Sequence, residues 1–317
     1  MSQQVCPACG NNAFESGEPV SVADQHKLYA PDDELTQRAL TGAASEAALH
    51  YQMLCCTRCG LEFCDPMTAP SAEWYRLAYR ALDLFSLERW EFDEILSHIP
   101  PGASVFEFGC GTGNFLERCR KGGRAASGMD FSEDAVAGCV AKGLNVLRLD
   151  LNAPANKSDP VPHIAALHCL EHIERPAVLF EHAAAKAAPS AHLWVSVPSD
   201  RRPTRRFGSR DYLDQPPHHM TRWTPEAFRQ VGKRHGWRLV ETLYEPISFR
   251  AALWSITAYS PRYKKWNTAG RFRNRLTDKA YRALALPATL VSYLRRERHL
   301  SGFSMLAHFV FEQRLDE

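Results

Sequence analysis

The stretch Ala103-Ser104-Val105-Phe106-Glu107-Phe108-Gly109-Cys110-Gly111-Thr112-Gly113-Asn114 decides the fold. A short apolar, β-prone run ends in an acid and three alternating glycines, then passes into a helical pattern, Phe115-Leu116-Glu117-Arg118-Cys119. Strand, tight turn and helix N-terminus in that order form the ligand-binding corner of a doubly wound α/β sheet. The glycines let the turn visit φ > 0 and bring backbone N–H groups against a ligand with no Cβ between. A dinucleotide fingerprint has its third glycine five residues after the first. Here Asn114 takes that place, and no Lys-Ser/Thr pair follows to make a phosphate loop.

Further along, Arg124 to Asp130 reads as the second strand, with Phe131 beside its terminal acid. Asp130 lies about twenty residues past the glycines, the offset at which a carboxylate reaches ribose hydroxyls. Ser132 then caps a helix that stops at Gly143, and a third strand, Leu144 to Leu149, ends at Asp150-Leu151. Acids therefore stand at the ends of three successive strands. Glu107-x-Gly109-x-Gly111-x-Gly113 resembles motif I of the class I S-adenosylmethionine (SAM) methyltransferases. SAM has no pyrophosphate but carries an amino group and a sulfonium, which suits an acid beside the turn. The segment His163 to Pro176, with Leu170-Glu171-His172 before its proline, resembles the family's fourth motif, with His163 where an Asp is usual. Ala191 to Pro198 reads as the fifth strand, and Thr224-Pro225-Glu226 opens the helix before the sixth at Gly236-Trp237. The resemblance implies an α/β, Rossmann-like doubly wound sheet with an antiparallel last strand. It implies SAM contacts at Glu107, Gly109, Cys110, Gly111, Gly113, Asn114, Asp130, Phe131, Asp150, Leu151 and His168.

Two knuckles, Cys6-Pro7-Ala8-Cys9-Gly10 and Cys56-Thr57-Arg58-Cys59-Gly60, let four thiolates converge on a tetrahedral zinc. A closed four-thiolate set leaves no open coordination position, so the ion's expected role is structural. The segment between the knuckles reads as a polar insertion around Pro31-Asp32-Asp33 and Gly42 to Ser45. Cys55, Cys64, His26 and His50 are possible substitute ligands. With these knuckles the chain resembles bacterial zinc-ribbon-plus-methyltransferase proteins. The expected organisation is a zinc-ribbon-like module over 1–70, a helical connector or lid over 71–100, and a methyltransferase domain over 101–317. Trp74, Tyr75 and Tyr79 are the aromatic type that closes over an adenosyl group, and a helical insertion is expected at about 248–301.

With 317 residues, 45% hydrophobic and a net charge of +2, the chain reads as globular, with no charge excess that demands nucleic acid or membrane. Ten cysteines are too sparse for a disulfide scaffold, and Met1 to Cys6 lacks a signal-peptide pattern, so a cytoplasmic location is expected. The loop 199–220 carries Arg201, Arg202, Arg205, Arg206 and Arg210, a length that is usually functional. Basic and aromatic residues mix over 261–298, among them Arg262, Lys264, Lys265, Trp266, Arg271, Phe272, Arg273 and Arg275. That mixture reads first as a helical cap with a solvated basic face; the functional readings are a peripheral membrane or lipid-linked contact or, less favoured, nucleic acid. His172, His218 and His219 are the candidate bases for an acceptor that must lose a proton. Glu171-His172 with His218 or His219 also resembles the metal set of small-RNA 2′-O-methyltransferases, which have a Glu where His168 stands; that departure tells against a catalytic metal. The leading expectation is methyl transfer to a small-molecule, sugar or glycan-precursor acceptor. RNA methylation and a non-catalytic SAM-binding docking protein are the alternatives.

Overall fold

The computed structural model describes residues 4–30, 32–44, 49–82, 89–151, 153–155, 159–208, 212–268 and 275–312. The first knuckle leads into β1 (Phe14–Ser21), antiparallel to β2 (His50–Cys56), which turns through the second knuckle into β3 (Glu62–Asp65). In place of a polar insertion, two helices join β1 to β2: α1 (Val22–Tyr29) and α2 (Glu34–Ala43). Val22, His26 and Tyr29 recur at helical spacing and are buried, as is Leu40. Asp33 caps α2 by accepting from the amides of Leu35 and Thr36, both at 3.1 Å. This small core closes on Trp74 of α3 (Ala72–Leu82), whose Nε1 donates to His26 Nε2 at 2.8 Å. Trp74 is thus a core residue of the N-terminal region. The side chain of Tyr79 lies outside the described residues.

The next elements are α4 (Trp90–Ser97), β4 (Ser104–Phe108), α5 (Asn114–Lys121), β5 (Ala125–Asp130), α6 (Glu133–Ala141), β6 (Asn145–Arg148), β7 (Val161–Leu167), α7 (Ala177–Lys186), β8 (Ala187–Pro198) and the single turn α8 (Pro203–Arg206). β9 (Thr221–Arg222), α9 (Pro225–Arg234), β10 (Trp237–Tyr244), α10 (Phe249–Ala258), α11 (Pro261–Thr268), α12 (Arg275–Ser292) and β11 (Ser304–Phe311) complete the chain. The seven-stranded sheet has the order β10-β11-β8-β7-β4-β5-β6, with an antiparallel last strand. β4 pairs in parallel with both β5 and β7, so the direction of winding reverses between β4 and β7. In such sheets the ligand crevice opens at the carboxyl ends of those two strands. Buried Phe92 and Ile95 of α4 and Phe115 of α5 cover one face, against Val105, Ala165 and Trp194.

The N-terminal sheet takes its fourth strand from far along the chain. β9 pairs antiparallel with β3, Phe63 opposite Thr221 and Glu62 opposite Arg222. The Cys64 amide donates to the Met220 carbonyl at 3.0 Å, and Thr224 Oγ1 donates to the Cys59 carbonyl at 2.7 Å. Arg222 Nη1 reaches Glu62 at 2.8 Å.

Two compact units emerge: Met1–Val197 with Tyr212–Leu243 and Leu306–Glu317, and Pro198–Asp211 with Tyr244–Met305. In the second unit, Ala252, Ile256 and Leu300 form a small core. The arginines of its first segment have structural partners: Arg201 stacks 3.9 Å over Tyr244, and Arg206 Nε meets Glu297 at 2.8 Å. Arg210, Arg271, Phe272 and Arg273 lie outside the described residues, as does the side chain of Arg275.

Candidate functional site

Four thiols gather where the two knuckles meet. Cys6 Sγ is 3.6 Å from Cys59 Sγ, and Cys9 Sγ is 3.5 Å from Cys56 Sγ. A tetrahedral zinc with Zn–S bonds of about 2.3 Å sets an S–S edge of roughly 3.8 Å. The set therefore fits the ion with little adjustment. All four residues are buried, and Cys55, Cys64, His26 and His50 stand outside the group. The hydrogen bond from Cys59 holds the Cys6 thiol down to about 5, so a thiolate is available as a ligand. Arg234 ties the first knuckle to α9 through the Ala8 carbonyl, 3.0 Å away.

At the crevice, Gly109, Gly111 and Gly113 all have positive φ. Gly113 is the N-cap of α5 at φ +79°, and a Cβ there would come within 2.5 Å of Leu144 Cδ1. Gly111 differs: at φ +51° its missing Cβ faces open space, as a turn shaped for ligand approach requires. Its amide donates to Asp130 Oδ2 at 2.8 Å, while Asp130 Oδ1 accepts from Ser132. One carboxylate thus fixes both the glycine turn and the start of α6. Burial raises the Asp130 carboxyl despite those amides. Glu107 is fully buried and raised well above the usual range, first by burial and then by the charge of Asp130. Its Oε2 has no hydrogen-bond partner among the described residues. A buried pair of carboxyl groups suits a ligand with an amino group and a sulfonium.

Phe131, next to Asp130, is half exposed and meets the edge of Tyr75 at 6.0 Å. Tyr75 also meets His172, at 5.6 Å, so this one ring of α3 connects the cofactor corner to the histidines. Cys110, Asn114, Asp150 and Leu151 lie on the turn, at the start of α5 and after β6. His168 is occupied otherwise. At φ +51° it sits between two buried acids, Nε2 3.1 Å from Glu91 and Nδ1 3.4 Å from Glu171. Burial pulls its pKa down, but the two carboxylates more than offset that and raise it. Glu171 falls to about 2: burial raises it, and the interaction with His168, first among the neighbouring imidazoles, outweighs burial. Glu91 escaped the sequence reading; the signal was an acid on the same helical face as Phe92 and Ile95.

His172, His218 and His219 converge, with ring centroids 5.1, 4.8 and 4.5 Å apart in pairs. His172 ends a short 3-10 turn whose Cys169 packs against Gly109. The other two arrive on the segment before β9, and the Met220 amide donates to the Glu171 carbonyl at 2.8 Å. Each ring is oriented through Nδ1: His172 donates to the His218 carbonyl at 2.7 Å, His218 to the Leu213 carbonyl at 3.0 Å, and His219 to Asp214 Oδ1 at 3.1 Å. Burial lowers His172 to about 4, and lowers His218 well below its ordinary value, so both rings are neutral near pH 7.

A family model described as a methyltransferase domain matches residues 79–242. No curated protein matches the chain. Among solved structures, the chain is similar to a SAM-dependent methyltransferase from Archaeoglobus fulgidus, at 21% identity and TM-score 0.47, over 75% of this chain and 100% of that one. It is similar to a complex of the Haloferax volcanii Trm112 methyltransferase activator with a methyltransferase, at 18% identity and TM-score 0.47, over 70% and 91%. A third is magnesium protoporphyrin IX methyltransferase from Synechocystis PCC 6803 with bound SAM, at 14% identity and TM-score 0.40, over 70% and 76%. The matched family segment spans more than half of the chain and contains the glycine turn, the buried acids and all three histidines; this protein belongs to the methyltransferase-domain family and uses S-adenosylmethionine.

Proposed function

We propose that the protein transfers a methyl group from SAM to a hydroxyl of a small-molecule, sugar or glycan-precursor acceptor. The observation that carries this reading is the set of three oriented imidazoles reached from the cofactor corner through Tyr75. SAM brings an activated leaving group, so alignment supplies most of the acceleration, ~7–11 kcal/mol in well-oriented cases. A hydroxyl acceptor must also lose a proton, and the histidine cluster is where that proton would leave. In this reading Glu107 and Asp130 face the amino group and ribose, the amides at Gly109 to Gly113 line the cofactor, and Phe131 covers adenine with Asp150 and Leu151 at its edge. His168 orders the turn that carries His172.

Support for a lipid-linked precursor comes from the second unit. Leu276, Leu284, Val291 and Leu294 are exposed and share one face of α12 and the turn after it, with Arg295 and Arg296 next in the chain. An apolar stripe with basic neighbours suits an anionic bilayer surface.

Labelled SAM with separate pools of sugar nucleotides, lipid-linked glycans and RNA tests the reading. Label should enter a glycan pool; label in RNA alone would overturn the acceptor class, and label in none would remove the transferase reading. Asp130→Ala should cost ~1–3 kcal/mol of SAM affinity by calorimetry, the worth of hydrogen bonds to a charged group.

A further inference from the structure

The geometry points to a second metal centre: we propose that His172, His218 and His219 bind one divalent transition-metal ion, zinc or iron(II) in class, through their three Nε2 atoms. This deepens the acceptor-site reading above and rests on it only for what the ion would do, not for whether it binds.

Three observations on these residues agree. One ring nitrogen of each lies within 4.8 Å of the others, and His218 and His219 are buried while His172 is partly so. All three Nδ1 atoms face oxygens that can only accept: two main-chain carbonyls and the Asp214 carboxylate. Each Nδ1 must therefore carry the proton, and the tautomer this fixes has its lone pair on Nε2. Donation of the second ring nitrogen to a carbonyl or carboxylate is the arrangement that orients metal-bound imidazoles and raises their basicity. Three protein ligands, rather than four, leave a position for water or substrate, the pattern of a catalytic site.

Ligand chemistry narrows the ion. An all-imidazole set suits zinc, copper, iron or nickel and is poor for magnesium or calcium, which take oxygen. A tetrahedral centre with Zn–N bonds of about 2.0–2.1 Å has an N–N edge of roughly 3.3 Å, so loading draws the rings inward by ~1 Å. His218 and His219 are adjacent, and the segment bearing them is anchored on both sides: Met220 binds the Glu171 carbonyl, and Thr221 and Arg222 join the ribbon sheet. In the acceptor reading, a hydroxyl on the open position loses its proton to solvent more readily, and its oxygen takes the methyl from SAM. The products are the methyl ether, the demethylated cofactor and that proton.

The test is metal stoichiometry. Full-length protein is saturated with Zn²⁺, gel-filtered and assayed for metal by mass spectrometry, with binding of the demethylated cofactor measured in parallel. Two ions per chain are expected, falling to one in His172→Ala and in His219→Ala while the cofactor still binds. Asp214→Asn keeps all three imidazoles and should weaken the second ion about 10–100-fold. Titration with Co²⁺ separates the centres, since only the cysteine site gives thiolate charge-transfer absorption. Saturation at one ion per chain, or a second ion indifferent to both histidine changes, would overturn the proposal. Two bound ions without methyl transfer to any pool would keep the metal centre and remove the acceptor reading.

Discussion

The cluster of four cysteines and the cluster of three histidines achieve convergence by opposite routes. Each cysteine pair is local, two residues separating the thiols and a glycine following, and the long pairing of β1 with β2 brings the first knuckle to the second. The histidines come from segments 46 residues apart and meet only because the Met220 amide finds the Glu171 carbonyl and β9 finds β3. The two clusters are also mechanically related. The ribbon sheet built on the cysteines holds, as its fourth strand, the two residues that follow Met220, so the knuckles brace the segment bearing His218 and His219. A small module gains stability from an ion; structural zinc contributes apparent binding energies on the order of 10–16 kcal/mol in isolated fingers.

The largest expected effect follows from that bracing. Removing the cysteine-bound ion by a strong chelator, or changing Cys56→Ser, should melt β1 to β3 and raise amide exchange at 212–222 as well as in the ribbon. Hydrogen exchange read by mass spectrometry checks this. Exchange confined to residues before 71 would mean that the histidines keep their place without the ribbon, and the comparison between the clusters would lose its mechanical link.

Asp214 is the second lever, because it joins the histidine segment to β9. Its carboxylate accepts from His219 Nδ1 and pairs with Arg222 Nε at 2.8 Å, and it is buried. Asp214→Ala leaves the His219 imidazole without its acceptor and Arg222 with only Glu62 and the main-chain carbonyl of residue 214, a loss of about 3 kcal/mol. Equilibrium urea unfolding should report a loss of that order. A change under 1 kcal/mol would show that Glu62 alone suffices for Arg222.

How much of this was legible beforehand differs in the same way. The knuckles, the glycine turn and the acids at the ends of β4 and β5 were readable because each is fixed by spacing along a few residues. The three histidines are readable as candidate bases and as part of a metal-like set, but what brings them together is a two-residue strand, Thr221–Arg222, too short to leave a periodic pattern. Asp214 gave no signal at five residues from His219, and Glu91 was hidden as an acid on an apolar face. The inserted helices between β1 and β2 read as polar because α2 buries only Leu40 among its ten residues. Trp74 looked like a lid aromatic, and its partner His26, 48 residues away, could not be inferred from order along the chain.

His26 offers a third, smaller test, on the ribbon side. Burial lowers its pKa to about 4, and Trp74 donates to its Nε2, so it folds as the neutral ring. Its folded pKa lies below the ordinary 6.5, so the unfolded chain takes up the proton first as pH falls. Stability from this group is complete above about pH 6.5 and is lost down to about pH 4, on the order of 3 kcal/mol in all. The unfolding midpoint should decline over that window, and His26→Gln should flatten the slope. An equal slope in the variant would assign the acid sensitivity to the other buried histidines.

The smallest effect separates bracing from mere proximity. Thr224 Oγ1 accepts from the Ala227 amide at 3.0 Å as the N-cap of α9 and donates to the Cys59 carbonyl at 2.7 Å. One hydroxyl thus joins the second knuckle to the helix that follows the histidine segment. Thr224→Ala removes both bonds, and the cap alone is worth ~1 kcal/mol. Thr224→Ser keeps both and should restore the midpoint. If the ribbon positions the histidines through this contact, Thr224→Ala will also weaken the second metal ion although the hydroxyl touches none of its ligands, and Thr224→Ser will rescue it. Loss of stability with the second ion bound as tightly as before would confine the hydroxyl to capping and leave β9 as the strut between the two clusters.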